Sequence, residues 1–532
     1  MKGIILFISA ALISITIRPA YAQLPATSTT AAPLAPAATQ GEVQQLNQTK
    51  INHPEPNGQT QQSTPQFIPQ FEALTDDHGQ IGSYHPDGQV STDGEPYFRN
   101  LGTNGRTCFT CHQPQDGWGL SQGDATNRFA ADPTEPLFRL VDGATCPDDD
   151  VSTPAAQAQA YSLVTAKGLI RIPLPLQDSM QFHIVSVQDT NGSDCNTNPM
   201  TGLTGPKAGF LSFYRRPLPT ANLQFLSNIM WDTREPTLTQ QAADATTGHA
   251  QADQAPPAPQ LTQIVAFEGC MFVATPDVCS QIPGQGHGTG AGLFASQQVD
   301  APNGGIPPSN AGDLTMNGAT GGAVNEAGFA ATFTACINDP FGCNGQTFDP
   351  AIFHVFDGFS GGTADQQALF RGQQVFNTVQ FQITGVPGLN DVQGKPSITG
   401  TCGTCHNNPG VGNHSSNLTV DIGVTAVDAP NGASSNLDLT GLPVITVMCD
   451  SGPLAGQTFT VTDLGVATVS GQCADVGKTK IPIIHGIAGR SPYFHNGGAP
   501  EITNLVNFYN TRFNIGLTAQ QLNDLEVFLE AL

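Results

Sequence analysis

The chain has 532 residues, which is more than one small hydrophobic core requires, so about two to four domains' worth of sequence is expected. It carries 43 acidic against 19 basic side chains, a formal net charge of −24. Nucleic-acid binding needs clustered Lys and Arg facing phosphates, so this charge balance excludes that class and suits a basic partner or solubility.

The first 22 residues have the three parts of an export signal. Lys2 gives a basic start, residues 4–17 are apolar, and Ala20-Tyr21-Ala22 forms an A-x-A cleavage site. The apolar run is shorter than the roughly 20 residues that a bilayer span requires, and no other stretch comes close. We therefore predict cleavage near Ala22, a periplasmic location and no membrane span in the mature chain.

Residues 23–68 are rich in Gln, Thr, Pro and Ala, which predicts a disordered linker. We expect a first domain over residues 69–355 and a second over residues 356–532. Within the first, residues 240–350 predict loops around a few helices. Twelve cysteines suit an oxidising compartment, and eight of them fall along the chain as neighbours. We predict four local disulfides that pin the insertions: Cys146–Cys195, Cys270–Cys279, Cys336–Cys343 and Cys449–Cys473.

The second domain carries patterns typical of helices. The stretch ADQQALFRGQQVFN, from Ala364, suits an amphipathic helix, and Pro500 opens an i, i+3, i+4, i+7 apolar face. Thr518 and Gln521 then form a capping box ahead of another apolar stripe. The sequence thus predicts a mainly α fold with long, loop-rich insertions.

Two C-x-x-C-H motifs lie almost three hundred residues apart, in GRTCFTCHQP and TGTCGTCHNN: Cys108, Cys111 and His112, then Cys402, Cys405 and His406. A C-x-x-C pair can bind zinc, cycle as a dithiol, form a disulfide or attach a haem. The adjacent His favours haem, because its imidazole can ligate iron held by two thioether links. Neither motif has a nearby second ligand pair for zinc. We predict two covalently bound haems c, with His112 and His406 as iron ligands.

The two motifs, the stretch NIMWDTREPTLTQQA and the C-terminal segment from GRSPYFHNGGAPEI onward together resemble the bacterial dihaem cytochrome c peroxidase and MauG superfamily. The resemblance covers about residue 95 to residue 532. It implies two c-type cytochrome domains, the first catalytic and the second electron-transferring, with a tryptophan between them that Trp231 matches. It leaves open a calcium ion between the domains. A core-filling role for Trp231 is the alternative.

The resemblance also identifies the catalytic face of the first haem. Gln241 matches a glutamine there, but the glutamate that peroxidases carry ten residues later is Gln251 here. An amide cannot donate or accept a catalytic proton, so His249 is the candidate substitute, unless it lies in a surface loop. No histidine follows His112 until His183, so the distal ligand of the peroxidases is missing. This predicts an open, five-coordinate first iron, as in the MauG branch.

The sixth ligand of the second haem is predicted to be Tyr509. The peroxidases have methionine at this position and MauG-type proteins have tyrosine, whose phenolate would stabilise ferric iron. Tyr509 also falls on the apolar face of its helix, which suits a core role. The rival ligands are Met448, His414, His485 and His495.

These features predict a periplasmic dihaem oxidoreductase that reduces hydrogen peroxide at the N-terminal haem. Electrons would come from a small cytochrome c or copper protein through the C-terminal haem. One alternative is oxidation of an organic or protein substrate, as in MauG or dihaem rubber oxygenases. The other is a non-catalytic electron-transfer cytochrome with both irons six-coordinate.

Overall fold

The computed structural model describes residues 64–76, 79–85, 89–189, 195, 209–269, 271–274, 324–325, 328–329, 338–341 and 347–532. The predicted export signal, most of the linker and two predicted disulfides, Cys270–Cys279 and Cys336–Cys343, lie outside these residues. At the end of the predicted linker, Phe67 and Ile68 form a strand. None of the helices in the described part of the chain is long and apolar enough to cross a bilayer.

The α-helices of the described residues fall into two groups along the chain, one before residue 270 and one after residue 363. They are α1 (Gln122–Ala131), α2 (Pro154–Ala160), α3 (Ser162–Lys167), α4 (Leu238–Gly248), α5 (Ala258–Gly269), α6 (Ala364–Thr378), α7 (Ala467–Ser470), α8 (Ile502–Arg512) and α9 (Ala519–Glu530). The predicted helices of the second domain are α6, α8 and α9. The predicted capping box is present, since the Gln521 amide donates to the Thr518 hydroxyl at 3.2 Å.

The prediction of a mainly α fold is wrong, because short strands make the protein mixed α/β. They are β1 (Phe67–Ile68), β2 (Phe71–Asp76), β3 (Gly79–Tyr84), β4 (Val90–Ser91), β5 (Ile170–Pro175), β6 (Phe182–Gln188), β7 (Phe210–Arg215), β8 (Phe272–Ala274), β9 (Val324–Asn325), β10 (Gly328–Phe329), β11 (Phe381–Thr384), β12 (Ser397–Gly400), β13 (Thr419–Val420), β14 (Val444–Cys449), β15 (Thr458–Val461) and β16 (Thr479–Lys480). They form two- and three-stranded sheets: β1–β4, β2–β3–β8, β5–β7, β6–β14–β15, β9–β10, β11–β12 and β13–β16.

One of these sheets joins the two halves of the chain. Strand β14 pairs antiparallel with both β6 and β15, and its residues Ile445, Val447 and Cys449 alternate into the core. This alternation of buried β-branched residues is the period-2 pattern of a half-buried strand. A segment from the second predicted domain therefore completes a core built mainly by the first.

Helices α6 and α9 make the main contact of the C-terminal core. The two backbones approach so closely that a Cβ at Gly372 would lie 1.9 Å from the Asp524 carbonyl oxygen, so only glycine fits there. Arg371 makes two 2.8 Å bonds to the Asp524 carboxylate beside this crossing. Phe376 and Phe528 pack against each other beneath it, with ring centroids 5.8 Å apart.

Two of the predicted disulfides are confirmed. Cys146 bonds to Cys195, and Cys449 bonds to Cys473. The second joins the end of β14 to the segment before β16, and both of its cysteines lie in the core that β14 completes. The four motif cysteines are free thiols, which leaves them available for another use.

Candidate haem-binding cavities

Both C-x-x-C-H motifs fold into the same turn, because both have the longer sequence T-C-x-T-C-H. In the first, the Thr107 amide donates to the Thr110 hydroxyl at 3.0 Å, and the His112 amide donates to the Cys108 carbonyl at 3.2 Å. These bonds close a single 3₁₀ turn over Cys108–Thr110. Both cysteines and the histidine of the motif then line one cavity.

The second motif repeats this geometry. The Thr401 amide donates to the Thr404 hydroxyl at 2.9 Å, and the His406 amide donates to the Cys402 carbonyl at 3.0 Å. Its two cysteines and its histidine line a second cavity. The two motifs therefore present the same three side chains in the same local frame.

Each motif histidine is held by a backbone carbonyl through Nδ1. His112 Nδ1 lies 3.1 Å from the Trp118 carbonyl oxygen, and His406 Nδ1 contacts the Gly412 carbonyl oxygen. Because a carbonyl oxygen only accepts, Nδ1 carries the proton and Nε2 keeps its lone pair. Burial lowers the pKa of both imidazoles to about 4, so both are neutral. A neutral imidazole oriented through Nδ1 is the usual form of a metal-ligating histidine.

The turn that presents the Gly412 carbonyl requires glycine. Its φ is +75°, and a Cβ there would lie 2.3 Å from the Ile484 side chain. Glycine alone combines this left-handed conformation with so close a neighbour. The orientation of His406 therefore depends on a residue six positions further along the chain.

The two cavities are open at their mouths and mainly apolar. Including open solvent at the mouths, the first encloses about 1300 Å³ and the second about 1680 Å³ between protein atoms. Aliphatic and aromatic side chains surround the cysteine pair in each of them. This lining suits an apolar planar group attached at the cysteine pair.

A buried ion-pair cluster lies beside the first motif. Asp142 contacts the Arg106 guanidinium, and its other oxygen lies 2.5 Å from His249 Nδ1. Burial alone would raise the pKa of Asp142, but Arg106 and His249 outweigh it and hold this pKa below its usual value. Asp142 is therefore an anion that accepts a hydrogen bond from the Nδ1–H group of His249 and turns Nε2 away from itself. All three residues line the first cavity.

The other predicted residues of the catalytic face divide into two groups. Gln241, on α4, lines the first cavity together with His249, which caps the C-terminus of that helix. Gln251 does not line the first cavity. Its backbone has a φ of +55°, and its carbonyl oxygen accepts a hydrogen bond from the Thr103 hydroxyl at 2.9 Å. The structure brings Gln241 and His249 together and leaves Gln251 outside the cavity.

The first cavity also contains a carboxyl group that sequence reasoning missed. Glu268, on α5, is 4 % exposed, and its Oε2 has no hydrogen-bond partner among the described residues. Burial, with a smaller contribution from Glu95, raises the pKa of Glu268 to about 8. Glu268 is therefore a proton-carrying group at neutral pH.

Trp231 lies in the wall between the two cavities and lines both of them. Its indole N–H donates to the Arg216 carbonyl at 2.8 Å, and its own carbonyl accepts the Lys480 amide at 2.9 Å. The His495 ring lies 5.8 Å away on the side of the second cavity. Trp231 is thus fixed at both ends by residues of the wall rather than packed in a hydrophobic core.

The same wall contains buried positive charges. Arg216 and Lys480 line both cavities, Arg490 lines the second, and these side chains are 3–8 % exposed. Burial lowers the pKa of Lys480 to about 7 and those of the two arginines to about 10. No sequence motif predicted these three residues, because their charged side chains are unusual only once folding has buried them.

The second cavity contains two of the candidate sixth ligands. Tyr509 and His495 line it, whereas Met448, His414 and His485 do not. Met448 is 37 % exposed on β14. Burial, reinforced by Cys405, raises the pKa of the Tyr509 phenol well above its usual range, so the free phenol is neutral.

The residues present fit haem better than the alternatives for C-x-x-C. Each site offers two thiols and one neutral imidazole on a mainly apolar cavity. Among the residues that the structure describes, no group of three or more His, Cys, Asp or Glu is placed to hold a metal ion by itself.

Comparisons with known proteins give a weak likeness among solved structures. No protein family profile and no curated protein matches the sequence. Among solved structures, the chain is similar to a crystal structure of a MauG-like protein associated with microbial copper homeostasis. That likeness covers 88 % of this chain and 95 % of the other at 14 % identity, with a TM-score of 0.32.

Proposed function

We propose that the protein is a dihaem c-type oxidoreductase that reduces hydrogen peroxide in the first cavity, with electrons entering through the second. The observation that carries this proposal is the pair of equivalent motif turns, each facing its own large cavity, with Trp231 lining both. When bound, haem would supply iron that changes oxidation state and can accept a ligand. His112 and His406 would hold the two irons, and the free motif cysteines would attach the porphyrins.

The first cavity has the groups that peroxide reduction needs. The reaction consumes two electrons and two protons and gives two waters: H₂O₂ + 2e⁻ + 2H⁺ → 2H₂O. His249 is held by Asp142 with Nε2 directed away from that carboxylate, so it can accept a proton from peroxide and return it to the leaving oxygen. Gln241 supplies an amide that can orient the bound peroxide. The electrons would come from a small cytochrome c or a copper protein.

The wall between the cavities provides the route for those electrons. Trp231 is fixed by the Arg216 carbonyl and the Lys480 amide, so its ring keeps one position relative to both cavities. A fixed aromatic side chain shortens the gap that electrons must cross. The acidic surface charge of the chain suits a basic donor protein.

One observation favours a second candidate. Tyr509, a tyrosine rather than a methionine, lines the second cavity. A tyrosine at this position differs from the peroxidase pattern and agrees with the MauG-type pattern. Oxidation of an organic or protein substrate is therefore the alternative, with peroxide as the oxidant and the substrate as the electron source.

Electron paramagnetic resonance of the ferric protein tests these proposals. One high-spin and one low-spin signal would support an open first site beside a closed second one. Peroxide consumption that oxidises a reduced small cytochrome would then favour the peroxidase, and consumption coupled to oxidation of an added organic or protein substrate would favour the alternative. Two low-spin signals with no response to peroxide would indicate an electron-transfer cytochrome instead.

A further inference from the structure

The wall between the cavities carries an excess of buried positive charge. The Lys480 ammonium donates to the Asn228 carbonyl at 2.9 Å, and Arg490 donates to the carbonyls of His485 and Ile483 at 3.1 and 3.0 Å. The Arg216 guanidinium contacts the carbonyls of Lys167 and Leu120. Each of these bonds satisfies a donor, but none of them neutralises a charge.

Several other buried cations in the described part of the chain are paired with carboxylates, although Arg171 and Arg512 are not. Arg215, one residue before Arg216, forms ion pairs with Asp232 at 2.5 Å and Asp463 at 2.7 Å. By contrast, no salt bridge joins Arg216, Arg490 or Lys480 to a carboxylate among the described residues. Burying a charge without a counter-ion costs several kcal/mol, so such a cluster is expected to bind an anion. In a chain of net charge −24, carboxylates for pairing were abundant.

The geometry identifies the kind of anion. The cations face the two cavities rather than bulk solvent, and two of them line both. An anion reaching them must therefore belong to whatever occupies the cavities. Arginine and lysine bind carboxylates well, arginine through paired N–H donors.

Resting on the proposed function, we infer that Arg216, Lys480 and Arg490 form one carboxylate-binding wall that holds the propionate groups of both haems. Lys480 contributes one charge to both sites at once, and Arg490 contributes to the second alone. The wall is also the structure that holds Trp231, through the Lys480 amide and the Arg216 carbonyl. Binding of the two haems would thus fix the bridging residue between them.

The charge of the wall should set both reduction potentials. Adding an electron is easier next to a positive charge, so removing that charge lowers the midpoint potential. Lys480→Met should therefore lower both haem potentials, while Lys480→Arg should leave them near the wild-type values. Arg490→Met should lower only the second. The backbone bond from residue 480 to Trp231 survives all three changes.

The test is a spectroelectrochemical titration of the purified holoprotein, after haem counting by pyridine haemochrome. Lys395→Met is the matched control, since Lys395 is exposed and lines neither cavity. A fall of both potentials in Lys480→Met, but not in the control, is the expected result. A fall of one potential alone, or of neither, would overturn the shared wall.

The design separates this inference from the proposed function. Fewer than two haems on the wild-type protein would refute the dihaem assignment itself. If Lys480→Met does not incorporate both haems, Arg490→Met provides the test. An unchanged reduction potential of the second haem, in an Arg490→Met protein that carries both haems, would refute the carboxylate-binding role.

Discussion

The strongest prediction concerns proton transfer by His249. We expect His249→Gln to slow the reaction of the ferric protein with peroxide about 100-fold. General acid–base groups contribute roughly 10²- to 10⁴-fold, and the low end applies because the His249 side chain is 33 % exposed, so water can partly replace it. A 100-fold loss corresponds to about 2.7 kcal/mol of transition-state free energy. Asp142→Asn should give a smaller loss, because His249 remains but loses its orientation.

The assay is stopped-flow measurement of the peroxide-induced spectral change, which requires no electron donor. The chain offers a matched control in His183, whose Nδ1 lies 2.8 Å from Asp450 in an exposed His–Asp pair that lines neither cavity. His183→Gln should react at the wild-type rate. The reasoning would be refuted if His249→Gln also kept that rate with both haems attached, and Glu268 would then be the next proton donor to test.

Three further predictions follow from buried groups. Tyr509→Phe should change the spin state of the second haem while leaving the peroxide response of the first, as seen by electron paramagnetic resonance; an unmoved spectrum would make Tyr509 a packing residue. Asp463→Asn should lower the free energy of unfolding by about 1.5–3 kcal/mol, because it removes one of the two carboxylate partners of buried Arg215 and leaves Asp232, and urea titration measures this. Because the pKa of Glu268 is raised in the folded state, the unfolded state loses the Glu268 proton at a lower pH. The free energy of unfolding should therefore fall as pH rises from the unfolded-state pKa near 4.5 to the folded-state pKa of about 8. Glu268→Gln should remove this part of the slope in denaturation series between those pH values, and an unchanged slope would contradict the burial argument.

The helices were predictable because their signals are local. The capping box of α9 and the apolar stripes of α6 and α8 each lie within a dozen residues, and the structure contains all three helices. The sheets were not, because β14 finds its partner β6 in the opposite half of the chain. The alternation of Ile445 and Val447 is a local signal of a strand, but no local signal identifies the strand with which β14 pairs.

The site shows the same division between local and distant signals. The C-x-x-C-H motifs contain both thiols and the histidine in five consecutive residues, so the sequence alone could assign them. Asp142, Glu268 and Lys480 reach the cavities from three separate parts of the chain. Their chemistry depends on burial and on neighbours that only folding supplies. The resemblance places a glutamate at position 251, where this chain has glutamine, whereas the buried carboxyl of the first cavity comes from Glu268 on another helix.

The residues that line the two cavities explain why the chain carries the same motif twice. The turns around His112 and His406 are equivalent in sequence, hydrogen bonding and protonation. The first cavity adds titratable groups, His249 and Glu268, which can move the protons that peroxide reduction consumes. The second adds Tyr509 amid mainly aliphatic and aromatic side chains, and none of the described residues that line it carries a carboxyl group. Two copies of one attachment site can thus serve different ends, because reactivity depends on residues that the motif itself does not contain.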